Sequence, residues 1–271
     1  MANSLWLIAG AGQLPGRVAQ EARRQGWRVV ALVFGDAPGL DGAVDRLVPC
    51  RVSEIGTALE AIRQEGITSV VFSGTLRKRD LIHLLPQDSH GHQFLALGGQ
   101  FTDSSLGHAA LGLLEGAGVQ VLDQRTFLAP LLVSAGPLTA SVPTPAQRED
   151  IAVGFKLARL CAAFGTGQTV VIHRGATAAI EAMEGTDEAI RRGCRLAGPG
   201  AVVVKAVAAW HDYRFDVPTV GAETIASMAP GKALVLALES GKILCLDREL
   251  LVECAERQGI AVVGVSPDDI P

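Results

Sequence analysis

Four stretches of this 271-residue chain hold residues whose types and spacing can do chemistry. The first is the glycine-rich turn Ile8-Ala9-Gly10-Ala11-Gly12-Gln13-Leu14-Pro15-Gly16. Such a turn between a strand and a helix start aims backbone N–H groups at an anion, and the helix dipole adds a favourable field. The dinucleotide fingerprint asks for a third glycine at position 15, where this chain has Pro15. Three readings stay open: a phosphate or sugar-phosphate contact, a purely structural turn, and NAD binding with Asp36 beyond the second strand. The second stretch is Phe72-Ser73-Gly74-Thr75-Leu76-Arg77-Lys78-Arg79-Asp80. It follows a strand, which is where open α/β sheets place their ligands. Gly74 allows close approach and Thr75 offers a hydroxyl. The three cations face either an anionic ligand or solvent.

The third stretch is Glu181-Ala182-Met183-Glu184-Gly185-Thr186-Asp187-Glu188. Thr186 reads as an N-cap, and Asp187 and Glu188 suit a first helical turn. Capping leaves the crowding by Glu181 and Glu184 unexplained; substrate hydroxyls or a hard cation would account for it. The fourth runs from Lys205 to Gly221 and concentrates His211, Asp212, Arg214 and Asp216. If residues 211–216 are extended, Asp212, Arg214 and Asp216 share a face. A carboxylate there orients water or holds a divalent cation, and Arg214 neutralises phosphate. The competing reading is a surface Asp–Arg pair. Histidines 83, 90, 92, 108, 173 and 211 are too scattered for a Ser–His–Asp order, and His90-Gly91-His92 reads as a polar loop.

The elements that must position these groups follow from periodicity. Leu5–Ala9, Val29–Val33, Arg46–Pro49, Ser69–Ser73 and Val119–Leu122 read as strands. Between them, Pro15–Gly26, Ser53–Gly66 (Ser53 as cap) and Leu106–Gly116 read as helices. Strands separated by helices imply a parallel sheet. Five prolines and glycines within 130–145 mark a linker, and Thr144-Pro145-Ala146-Gln147 announces a helix with a capping box. Beyond it, Thr169–His173 and Ala176–Ile180 flank Arg174-Gly175 as a hairpin. Thr186–Cys194, about 222–228 and Arg248–Gly259 read as helices; Ala201–Val207, Ala233–Leu238, Ile243–Leu246 and Ile260–Val265 read as strands. A mixed sheet is expected there. The expected domains are 1–130 and 146–271, joined by 131–145.

Composition narrows the function classes. Apolar residues are 48% and charged residues 19%, enough for a real core. The net charge is −4. Residues 1–130 carry 11 basic and 12 acidic side chains and the remainder 13 and 16, so neither half is a basic module and no nucleic-acid partner is expected. Aromatics are 4% and glycines number 31, which suits packed βα units. The five cysteines form no Cys-x-x-Cys pair, so free thiols in a reducing cytosol are expected. Neither a leader nor a membrane span is expected from the sequence.

Taken together, several segments resemble the UDP-2,3-diacylglucosamine pyrophosphatase family of the LpxI type. They are Leu7–Pro15, Phe72-Ser73-Gly74, Glu181–Asp187 and Arg214-Phe215-Asp216-Val217-Pro218-Thr219-Val220-Gly221, with Asp150-Ile151, Gly167-Gln168 and Gly259–Val265. The resemblance spans about 5–265. It implies an N-terminal Rossmann-like parallel-sheet domain, a C-terminal α/β domain with a mixed sheet, and a lipid held between them. It also implies Mg²⁺-dependent hydrolysis of UDP-2,3-diacylglucosamine to UMP and the diacylated sugar 1-phosphate of lipid A synthesis.

On this resemblance, Asp216 stands at the family's catalytically important aspartate, with Asp216 and Asp212 as metal ligands. The implied substrate contacts are Gly10, Ala11, Gly12, Gln13, Leu14, Gly74, Thr75, Glu184, Gly185, Thr186, Asp187, Lys205, Arg214 and Thr219. The implied setting is cytoplasmic and peripheral to the inner membrane, with a homodimer as the default assembly. Phe127-Leu128-Ala129 and Leu131-Leu132-Val133 are read either as acyl contacts or as buried packing. Two departures stand out. The family has Gly-Asp-Asp where this chain has Gly107-His108-Ala109, and Lys-Pro-x-Gln where it has Ala208-Ala209-Trp210-His211. Asp103 and Asp212 are candidates to compensate. A divergent member that binds a related ligand with weak or no turnover is therefore the alternative, and an NAD-dependent oxidoreductase a further one.

Overall fold

The computed structural model describes residues 3–51, 55–64, 66–75 and 103–269. The chain forms two compact units: Met1–Ala129 with Asp212–Asp216, and Pro130–His211 with Val217–Pro271. The first is built on five parallel strands: β1 (Ser4–Ala9), β2 (Arg28–Val33), β3 (Arg46–Pro49), β4 (Ser69–Ser73) and β5 (Gln120–Val121). Their order is β3-β2-β1-β4-β5. Helices α1 (Leu14–Arg24), α2 (Ile55–Gln64), α3 (Asp103–Gly116) and α4 (Arg125–Leu128) complete the described part of the unit. The central strands are apolar along their length because a parallel sheet of this kind is covered on both faces. Leu5, Trp6, Leu7 and Ala9 are fully buried, and α1 turns Val18, Ala19 and Ala22 inward as its pattern predicts.

The chain runs outward from β1 to β3 and then returns to β4. The sheet therefore switches direction between β1 and β4, and the loops at their carboxyl ends meet there.

The second unit holds a six-stranded mixed sheet in the order β6-β13-β11-β9-β7-β8. Its strands are β6 (Gly136–Pro137), β7 (Thr169–His173), β8 (Ala176–Ile180), β9 (Val202–Lys205), β11 (Val235–Glu239) and β13 (Ala261–Val265). A parallel pair, β10 (Thr219–Val220) and β12 (Leu244–Cys245), stands apart from it. The helices are α5 (Pro145–Ala163), α6 (Thr186–Ala197), α7 (Ala222–Met228) and α8 (Arg248–Arg257). The expected capping box is present: Gln147 N–H donates to Thr144 Oγ1 and Thr144 N–H donates to Gln147 Oε1. The five cysteines are free thiols, and burial pushes Cys194 up to about 11.

Two expectations are corrected, and for three apolar residues around Pro130 the buried-packing reading holds. Residues 131–145 are not a free linker. Val133 is buried with its N–H on Ile243 O, β6 pairs with β13, and Thr139 Oγ1 accepts from Val262 N–H. Proline and glycine there shape an edge of the second unit. Residues 212–216 are not extended but turned: Asp212 Oδ1 accepts from Arg214 N–H at 3.0 Å and closes the turn locally. Phe127, Leu128 and Val133 are core residues, 1–2% exposed, and so pack inside their units.

One buried carboxylate is structural. Asp150 on α5 accepts from the N–H groups of Arg174 at 2.9 Å and Gly175 at 2.6 Å. Those two residues form the expected hairpin turn, with φ of 50° and 76°. Asp150→Ala strips both acceptors and is expected to cost about 1–3 kcal/mol in urea unfolding. No measurable loss would show that the clasp contributes nothing.

Candidate active site

In the first unit, the loops after β1 and β4 are fused by backbone contact. Gly10 N–H donates to Ser73 O, and Ala11 and Thr75 exchange N–H···O bonds of 2.9 Å in both directions. Gly12 N–H donates to Asp36 O. Gly10 and Gly74 are required by this closeness. A Cβ on Gly10 would lie 2.7 Å from Thr75 O, and one on Gly74, whose φ is +85°, 2.8 Å from Ala11 O. The N–H groups of Gly10, Ala11 and Gly12 are thus spent on carbonyls and do not form an anion cradle. An anion at this end of the sheet would meet the start of α1, where Gln13 precedes Leu14 and Pro15 lacks an N–H. Asp36 meets the glycine turn through its carbonyl. Gly74 and Thr75 are exposed beside this edge. Leu76 and the run Arg77-Lys78-Arg79-Asp80 lie outside the described residues, as do His83, His90 and His92.

The segment Asp212–Asp216 belongs to the same unit and is gripped from several sides. Arg214 forms a fork on Asp212, with Nε to Oδ1 at 3.0 Å and Nη2 to Oδ2 at 2.7 Å, while its Nη1 reaches Glu115 Oε1 on α3 at 2.9 Å. Burial opposes ionisation of Asp212, but the hydrogen bonds from Arg214 outweigh it and hold the carboxyl below its ordinary value. The Asp212 carboxylate in turn pushes Arg214 up. Tyr213 is buried under the Arg125 guanidinium, 3.8 Å from its ring centroid, and its carbonyl accepts from Gln124 N–H. Asp216 ends the segment, partly exposed, with its N–H 3.5 Å from Asp212 O. Buried Val217 and Pro218 follow, and Thr219 lies half-buried in β10. No sequence pattern pointed to Glu115, which is 99 positions away from its partner.

In the second unit, the acidic crowd resolves into local pairs. Glu184 is ion-paired with Arg192, and Glu188 with Arg191 at 2.6 Å. The hydrogen bond from Arg192 also lowers the Glu184 pKa. Glu181 Oε1 accepts from the Thr186 hydroxyl at 2.7 Å and Oε2 from Gln168 N–H at 3.2 Å. These partners account for the crowding without a hard cation. Thr186 is not the N-cap. Gly185, at φ 83°, holds that position, and Asp187 sits in the first turn. The Thr186 hydroxyl instead links Glu181 to Lys205, whose Nζ donates to it at 3.0 Å. Lys205 ends β9 and is only 5% exposed. A buried ammonium is thus placed beside the N-terminus of α6, where both the charge and the helix end favour an anion. Thr169, the register partner of Lys205 on β7, keeps a buried hydroxyl without a hydrogen bond.

Among the described residues, no three His, Cys, Asp or Glu side chains cluster as a metal site. The proposed pair does not fit a resident cation either, because Asp212 gives both oxygens to Arg214. Magnesium, however, commonly keeps its waters and binds through one carboxylate and substrate phosphates.

Residues 4–131 match the LpxI N-terminal domain and residues 134–263 the LpxI C-terminal domain. The chain belongs to the LpxI family. A curated relative, UDP-2,3-diacylglucosamine pyrophosphatase LpxI of Caulobacter vibrioides, is 30% identical over 284 residues, covering 99% of this chain and 100% of that one. Similar solved structures include a UDP-glucose-4-epimerase from Stenotrophomonas maltophila, 23% identical over 44% of this chain with a TM-score of 0.30. The chain spans 35% of that epimerase. Another is an N5-carboxyaminoimidazole synthetase from Staphylococcus aureus, 16% identical over 66% of this chain and 41% of that one, with a TM-score of 0.25.

Within the LpxI chain, the departure at 107–109 has a packing consequence. His108 meets the Phe215 ring edge-on, centroids 5.2 Å apart, and Ala109 is 3% exposed. His108 thus packs against the segment leading to Asp216. Asp212 is committed to Arg214, and the side chain of Asp103 lies outside the described residues. At the other departure, Ala208 is buried and Trp210 is exposed.

Proposed function

We propose that this chain hydrolyses the pyrophosphate bond of UDP-2,3-diacylglucosamine, releasing UMP and 2,3-diacylglucosamine 1-phosphate in lipid A synthesis. The observation that carries the reading is membership of the LpxI family along nearly the whole chain, with a relative named for this activity. Water adds to one phosphorus, the bridging P–O bond breaks, and the bridging oxygen leaves on the other phosphate. Pyrophosphate cleavage of this kind needs neutralised phosphate charge and a positioned water.

In this reading Asp216 orients the attacking water. Lys205, with Thr186 and the start of α6 (Gly185, Asp187), takes phosphate charge. Glu184 acts from its pair with Arg192. Gly10, Ala11, Gly12, Gln13, Leu14, Gly74 and Thr75 shape the sugar-nucleotide contact at the carboxyl edge of the parallel sheet, with Thr219 as a further hydroxyl. Arg214 serves as the brace of the Asp216 turn, because its guanidinium is divided between Asp212 and Glu115. Magnesium bound together with the substrate would supply charge neutralisation at the pyrophosphate. A diacylated substrate places the work at the inner membrane face, reached from the cytoplasm, and among the described residues no helix is long and apolar enough to cross a membrane. A homodimer belongs to the same proposal.

The test is incubation of the full chain with UDP-2,3-diacylglucosamine and Mg²⁺, with UMP and the sugar phosphate followed by mass. Equal release of both is expected, abolished by EDTA and restored by added Mg²⁺. Substrate that raises the melting temperature yet yields no UMP would replace hydrolysis with binding alone, the outcome that the changes at 107–109 and 208–211 favour.

A further inference from the structure

Helix α3 carries Gly107 and Gly112 in its interior. Glycine weakens a helix, because it gives up more backbone freedom than any other residue. At Gly112 a methyl group would meet nothing within 4 Å. At Gly107 it would run into the Phe215 ring, with Cδ1 2.7 Å away. The missing side chain is therefore used at one position and not at the other.

We propose that Gly107 is a positioning residue: by lacking a Cβ it seats the Phe215 ring on α3 and so fixes the backbone that carries Asp216. The catalytic half of this statement rests on Asp216 acting on the pyrophosphate. Phe215 packs against the apolar core of the first unit, the cluster that holds Leu111 and Leu114 of the same helix. His108 closes the ring from its edge. Besides Tyr213, buried under Arg125, two grips on this turn are polar and partly exposed: the Asp212–Arg214 fork and the Arg214–Glu115 pair. Such pairs hold a turn weakly. A ring lodged against a bare helix backbone is stiffer, since packed apolar surfaces resist displacement of even one methylene. Misplacing a reacting group by about 1 Å costs on the order of 10²-fold in rate.

Four variants of the full chain separate seat from helix: Gly112→Ala, Gly107→Ala, Phe215→Ala, and the double variant Gly107→Ala with Phe215→Ala. Gly112→Ala is expected to raise Tm and leave UMP release unchanged, as helix propensity alone dictates. Gly107→Ala is expected to lower Tm and to reduce kcat at least ~10-fold, with KM within ~3-fold. Phe215→Ala should reduce kcat similarly. Once the ring is gone, adding alanine at 107 should raise Tm, as it does at 112, and cost no further kcat. If Phe215→Ala does not fold, Phe215→Leu replaces it. Should Gly107→Ala raise Tm and keep kcat, or lower both equally in the two backgrounds, the seat is overturned. Wild-type protein that releases no UMP would remove the role of Asp216, while the sign of the Tm change in the two backgrounds would still decide the seat.

Discussion

Asp216→Asn is expected to lower UMP release by at least ~10²-fold, the low end for a positioned acid–base group, with Tm essentially unchanged. A carboxylate near a pyrophosphate is repelled by it unless a water or cation stands between, so its natural work is to orient one or the other. Asparagine keeps the size and removes the charge. Stability should survive because the turn is held by other groups: Asp212 on Arg214, Arg214 on Glu115, and Phe215 against the apolar core. The measurements are steady-state UMP release and thermal melting on the same preparation. Wild-type turnover in the variant would take Asp216 out of the chemistry. Unfolding would make it part of the turn's structure instead.

Replacing Lys205 by methionine is expected to separate binding from stability in the opposite sense. The ammonium is 5% exposed, and its hydrogen-bond partner is the Thr186 hydroxyl rather than a carboxylate. Burying a charge without a direct counter-charge is costly, and an apolar side chain of similar length removes that cost. Tm should therefore stay level or rise. A substrate phosphate would supply the counter-charge, so its loss should lower kcat/KM by ~30-fold or more, as truncating a buried charged pair does. The change should appear mainly in KM, since the phosphate is charged in the ground state as well. A variant that melts earlier yet keeps kcat/KM would assign Lys205 to the fold. Lys205→Arg keeps the charge but not the shape, and is expected to recover only part of the affinity.

Much of the architecture was legible in the sequence for physical reasons that act locally. The buried strands of the parallel sheet are short apolar runs because both faces are covered, and β1, β2 and β4 lie within a residue or two of where composition puts them. Thr144, Pro145 and Gln147 sit as their side-chain chemistry demands at a helix start. Arg174-Gly175 turns because both residues adopt positive φ. The linker at 131–145 was misread because proline and glycine mark any irregular backbone, and an edge strand two residues long has too few side chains to show alternation.

The chemistry-bearing stretches divide along the same line. Residue types and order alone carry the resemblance to the LpxI family and the expectation of two α/β domains, with Gly10–Leu14, Gly74, Glu184–Asp187 and Arg214–Thr219 as chemistry-bearing segments. Local sequence could not say which groups were already spent. The N–H groups of Gly10 and Ala11 are taken by Ser73 and Thr75, more than sixty positions on, and Arg214 is divided between a neighbour and Glu115. Only the tertiary structure decided that residues 212–216 turn back into the first unit, that Phe215 rests on Gly107, and that Lys205 reaches Thr186. A hydrogen bond or a ring contact depends on distance in space. The sequence sets which groups can pair, and the packing of distant elements sets which of them do.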